Sequence, residues 1–98
     1  VLLDTRCRVI DVILVYQGNV SSVNFRAAEV LREAVITNAP SVVLVHNHPS
    51  GDPEPSPPDI ALTKELVKAG EILGIEVADH VIVGRDAFVS LKERKLLG

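Results

Sequence analysis

His46 to Asp59 reads HNHPSGDPEPSPPD, and the fold turns on how this stretch is entered and left. It is entered from Ser41-Val42-Val43-Leu44-Val45, an apolar, β-branched run with the length of a buried strand. Strand side chains alternate between faces, so His46 and His48 project to the same side. After Pro49 the chain turns through Ser50-Gly51-Asp52-Pro53-Glu54-Pro55, a composition that suits neither a helix nor a central strand. Ser56-Pro57-Pro58-Asp59 then reads as a helix start, with a capping serine, proline at the first helical position and an acid in the first turn. A strand end thus offers two imidazoles and a helix start offers a carboxylate, with a kinked loop folding one onto the other.

That donor set suits zinc. A catalytic zinc site takes three protein ligands, here His46, His48 and Asp59, and leaves the fourth tetrahedral position to water. Asp59 stays ionised at a helix N-terminus, where free N–H groups and the dipole favour negative charge. Ser56 has a second use. If its oxygen accepts a backbone N–H as a cap, its own hydrogen remains available to a developing oxyanion. Each signal has a plain alternative: Ser56-x-x-Asp59 alone is a capping box, and His-x-His alone is often two unrelated histidines. Their combination around one Pro/Gly-rich turn is what points to chemistry.

His-x-His, seven residues, Ser, two residues, Asp resembles the JAMM motif of the JAB/MPN metalloproteases, through His46, His48, Ser56 and Asp59. HNHPSGDPEPS, together with DHVIVG from Asp79 to Gly84, is similar to the bacterial RadC-like (UPF0758) branch, long labelled DNA-repair proteins. The resemblance covers essentially the whole chain. It implies an MPN fold, a Zn2+ ion held by His46, His48 and Asp59, and Ser56 assisting at the oxyanion. The reaction implied is hydrolysis of an amide or isopeptide bond in a peptide or protein substrate. The family's general base is a glutamate on or near an early strand, expected here to precede Val1. Glu29 is the nearest internal candidate, but it lies almost opposite the apolar stripe of its helix and reads as a solvated charge. The literal triplet His46-Asn47-His48 is not the HNH nuclease motif, whose residues are scattered.

Two other classes stay open. A nuclease or phosphoesterase follows from the DNA-repair label, and a non-catalytic binding module follows from MPN domains that lack ligands. Retention of all four motif residues counts against the module. A net charge of −3 gives no electrostatic case for nucleic acid. A zinc deaminase is discarded, since it needs P-C-x-x-C and Cys7 is the only cysteine.

Ninety-eight residues fit one domain, 1–98, and the start inside an apolar run reads as a C-terminal fragment of a longer protein. Hydrophobic content of 47% with only 3% aromatics predicts an aliphatic core. One cysteine, no signal peptide and no run near the ~20 residues of a membrane span predict a cytoplasmic protein with no membrane partner. Val1 to Leu3 and Val9 to Tyr16 read as a hairpin around Asp4-Thr5-Arg6. Its second strand is apolar enough to expect it central and covered on both faces, with Cys7 half-buried near its start. Gly18-Asn19 is a turn, Val20 to Val23 a short strand, and Asn24 to Asn38 a helix with Ala27, Val30, Leu31, Ala34 and Val35 inward and Pro40 as its stop. A second helix runs from Pro57 to Leu73 and ends at Gly74, with Gly70 weakening it. Ile75 to Val83 is a strand whose His80 bonds a neighbour. Ala87 to Val89 is another strand, and Ser90-x-x-Glu93 caps a last short helix. The order βββαβαββ defines an α/β class: a mixed sheet flanked by helices.

Overall fold

The computed structural model describes residues 1–14, 26–48 and 50–97. Its elements are β1 (Leu2–Leu3), β2 (Val9–Asp11), α1 (Ala27–Thr37), β3 (Ser41–Asn47), α2 (Pro57–Leu73), β4 (Glu76–Val83) and β5 (Phe88–Ser90). The strands make one mixed sheet in the order β2-β1-β3-β4-β5. β3 runs parallel to β4 and antiparallel to β1, while the outer pairs β1–β2 and β4–β5 are antiparallel. Parallel neighbours need a crossover, and α2 supplies it. The class is α/β with a mixed sheet and two helices, as the sequence predicts. The strand expected at Val20 to Val23, the Gly18-Asn19 turn and the helix start at Asn24 lie outside the described residues.

Both helices share one core with the sheet. Leu31 and Ala34 of α1 and Leu62 and Leu66 of α2 meet Leu2, Val42 and Val77. α1 is shorter than the reading of Asn24 to Asn38, and Asn38 itself ends it. That residue sits in the left-handed region (φ 60°), and its N–H reaches the carbonyls of Ala34 and Val35, so Pro40 only follows a stop already made. Val35, expected inward, is about half exposed. α2 starts and stops where predicted, at a Ser56 cap and a left-handed Gly74 (φ 74°). Gly70 has a packing reason: a Cβ there would lie 2.3 Å from the carbonyl oxygen of Ile75. The helix trades intrinsic propensity for close contact with the chain that follows it.

Three expectations fail for local reasons. Over its described part, Val9 to Leu14, the expected second strand is not covered or central: β2 is three residues long, exposed throughout and at the sheet edge, and Val15 and Tyr16 lie outside the described residues. Asp11 ends it by accepting the N–H of Val12 on its own side chain at 2.8 Å, competing with the ladder. Cys7 is exposed rather than half-buried, because it belongs to the turn and has φ 60°. The Asp4 carboxylate organises that turn by accepting the N–H groups of Arg6 and Arg8. Ser90-x-x-Glu93 caps a series of turns, not a helix; the Ser90 Oγ does accept the Glu93 N–H at 3.2 Å.

One irregularity matters for the site. Val42 pairs with Val77, but Val43 pairs with Asp79, so Ala78 is an extra residue in β4. A bulge of this kind restarts the alternation of faces. Val77, His80 and Ile82 are all buried, and His80 lies beside Leu44 on the face that carries His46. Among the described residues, no helix is long and apolar enough to cross a membrane.

Candidate metal centre

β3 ends at Asn47, and the loop from residue 48 onward is tied to the β4–β5 turn rather than left free. The His48 N–H donates to the Val83 carbonyl (3.2 Å), Gly51 N–H to His48 (3.0 Å) and Arg85 N–H to Gly51 (2.9 Å). Gly51 occupies φ 85°, a region that favours glycine. Gly84 is needed for a different reason: a Cβ there would fall 2.4 Å from the Gly51 oxygen and 2.7 Å from Pro53 Cδ. Further out, Arg94 donates both terminal nitrogens to the Glu54 carboxylate (2.5 and 3.1 Å), an exposed pair of small energetic weight.

The loop delivers Ser56 and Asp59 as a reciprocal capping box. The Ser56 Oγ accepts the Asp59 N–H at 3.3 Å, and the Asp59 Oδ2 accepts the Ser56 N–H at 2.8 Å. Asp59 is 1% exposed, an unusual burial for a carboxylate. Burial works against its charge. The Ser56 N–H and side chain outweigh that, with help from the two imidazoles, and hold the carboxyl below the usual aspartate range.

Three side chains converge as the spacing predicts. His46, His48 and Asp59 each bring a ligand-type atom within 4.8 Å of the others. His48 Nε2 lies 2.9 Å from Asp59 Oδ2, and His46 Nε2 lies 3.4 Å from Oδ1. A tetrahedral zinc with bonds near 2.0–2.1 Å sets its donors roughly 3.3 Å apart, close to these two imidazole–carboxylate separations. Hydrogen-bond direction argues the same way. His48 Nδ1 is 2.9 Å from the Asp52 carbonyl, which can only accept, so Nδ1 carries the proton. In neutral His48 the lone pair on Nε2 therefore faces a carboxylate oxygen. Such a contact is repulsive unless a proton or a metal cation lies against both atoms.

Behind these three side chains stands a buried chain that sequence reasoning saw only in part. His80 does bond a neighbour, as expected, and that neighbour is His46: their Nε2 and Nδ1 atoms are 3.0 Å apart. The other face of His80 meets Thr63, with Nδ1 2.6 Å from Oγ1, and Thr63 donates to the Asp59 carbonyl at 2.8 Å. Burial and the nearby His46 push the His80 pKa down to about 4. His46 is also lowered, chiefly by burial, although Asp59 opposes this. Thr63 was missed altogether. The available signal was its position four residues after Asp59, one helical turn along the same face. Glu29 is exposed, 4.0 Å from Arg26, and stands apart from the cluster.

Fold and site together describe an α/β domain with a histidine–histidine–aspartate cluster compatible with a metal. The RadC-like JAB domain family matches residues 1–96, and the chain belongs to that family. Its relatives include a UPF0758 protein of Chloroflexus aurantiacus, 51% identical over 96 residues, which are 98% of this chain and 42% of that protein. Another, from Chloroflexus aggregans, is 52% identical over 94 residues, 96% of this chain and 41% of that protein. A third, from Moorella thermoacetica, is 47% identical over 97 residues, 99% of this chain and 42% of its own length. The chain therefore spans about two-fifths of the curated relatives it matches.

Proposed function

We propose that this domain is the zinc-holding part of a hydrolase that cleaves an amide or isopeptide bond in a peptide or protein substrate. The observation that carries the reading is the His48 contact. Its Nδ1 proton is committed to the Asp52 carbonyl, so in the neutral ring Nε2 and the buried Asp59 carboxylate face each other as two electron-rich atoms 2.9 Å apart, a contact that calls for a proton or a metal cation between them. A cation resolves that contact, and His46 Nε2 completes a three-ligand set. Family membership supports metal-dependent hydrolysis.

The chemistry a bound zinc supplies is acidification of a water and polarisation of a carbonyl oxygen. The chain's own residues do the rest. Asp59 keeps its negative charge through the Ser56 N–H and so stays ready to bind a cation without first losing a proton. The Ser56 hydroxyl oxygen is occupied by the Asp59 N–H, which leaves its hydrogen to stabilise negative charge on the substrate oxygen. A general base must take the proton of the attacking water and return it to the leaving amine. Among the described residues the cluster holds no further carboxylate, so this role falls to a residue outside it.

The test is hydrolysis by the full-length, zinc-loaded protein of peptide and isopeptide substrates, set beside branched DNA. Amide cleavage that stops on chelation and returns with zinc is expected. Ser56→Ala should lower kcat by roughly 10²–10³-fold while retaining zinc. Cleavage of DNA instead of amides would replace this reading with the phosphoesterase one.

A further inference from the structure

We infer that His80 and Thr63 are positioning residues that hold the Nδ1 proton of His46 and thereby keep its Nε2 lone pair available to a metal cation. The inference rests on the metal-centre reading above and extends it to two side chains outside the ligand set. Bond direction fixes the roles. Thr63 has one hydroxyl proton and gives it to the Asp59 carbonyl, so at Oγ1 it can only accept from His80. His80 Nδ1 then carries the proton, and in a neutral ring Nε2 must accept. The group facing it is His46 Nδ1, at 3.0 Å, which therefore donates. His46 Nε2 is left with a lone pair on the side of Asp59 Oδ1, where a cation would sit.

In this direction both nitrogens of His80, the Thr63 hydroxyl and His46 Nδ1 are all bonded, and only His46 Nε2 is left open on the side of Asp59. This matters because His80 and Thr63 are both 0% exposed, where an unpaired polar group is costly. The geometry depends on the extra residue Ala78, which turns His80 toward His46. Partners of this kind, which fix a ligand's tautomer and ring orientation, typically change metal affinity by about 10- to 100-fold.

The experiment is chelator competition for zinc on the wild-type chain, His80→Leu, His80→Gln, Thr63→Val and the double variant His80→Leu/Thr63→Val, with urea unfolding as the control for structure. His80→Leu should weaken zinc binding by about 10- to 100-fold. His80→Gln, whose amide oxygen can accept the His46 proton, should recover part of that loss. Thr63→Val should weaken binding on its own but add little to His80→Leu, because the two act through one chain. In the zinc-loaded wild type the His46 Nδ1 proton should be visible by NMR, and in His80→Leu it should exchange rapidly with water. Unchanged zinc affinity in a folded His80→Leu chain would overturn the inference. If that variant does not fold, Thr63→Val decides in the same way, since it removes only a hydroxyl. A wild-type chain that takes up no zinc would overturn the metal-centre reading and this inference with it.

Discussion

At the residue scale, the site is built from groups whose charge states are set by burial and by who donates to whom. His80 is the clearest case. Its pKa lies at about 4 against an ordinary 6.5, so between those values the unfolded chain binds a proton that the folded one does not. Stability of the metal-free chain is therefore full above pH ~6.5 and is lost as pH falls toward ~4. At about 1.4 kcal/mol per pH unit, the loss is on the order of 3 kcal/mol. Asp59 acts with the same sign: its depressed pKa stabilises the fold at neutral pH, and that contribution is lost once acid protonates it. Urea midpoints measured across this range should fall on acidification, and a flat profile would mean that His80 is not held neutral. A second prediction concerns Gly84. Its Cβ would collide with the Gly51 carbonyl and with Pro53, so Gly84→Ala should push the ligand loop away and weaken zinc uptake while β4 and β5 persist. Chelator competition would read the first effect and circular dichroism the second.

At the element scale, the site was legible where local chemistry governs. Ser56-Pro57-Pro58-Asp59 specifies a capped helix whatever surrounds it, and the capping box forms as written. Ser41 to Val45 specifies a strand, which continues through His46 to Asn47. Long-range choices were less legible. An apolar run such as Val9 to Leu14 does not say whether its neighbours lie on one side or two, and here β1 pairs on both sides while β2 takes the edge. The bulge at Ala78 has no local signature, so strict alternation from Val77 would have sent His80 to the far face. Gly70 tests how far packing overrides propensity. Alanine normally improves a helix interior by roughly 1 kcal/mol. Here its Cβ would sit 2.3 Å from the Ile75 carbonyl, so Gly70→Ala should destabilise the chain, by about 1–3 kcal/mol as for other overpacked sites. A raised urea midpoint would show instead that the α2–β4 connection relaxes cheaply.

At the scale of the whole molecule, the sheet order explains why the motif is split between a strand and a helix. β3 lies inside the sheet with β1 and β4 on either side, and the crossover to β4 must leave from its C-terminal end. The loop that makes this departure carries His48 at one end and Ser56 at the other, so closing the βαβ unit also closes the site. The β4–β5 turn then braces the loop from outside, through Arg85 N–H on the Gly51 carbonyl. The central claim is that this closure creates a metal centre. It is tested most directly by measuring zinc bound per chain, by metal analysis after dialysis, in the wild type, His48→Ala and Asp59→Ala. About one zinc in the wild type and none in either variant is the predicted result, with wild-type zinc lost as the buffer is acidified. Stoichiometric zinc in both variants would contradict the account.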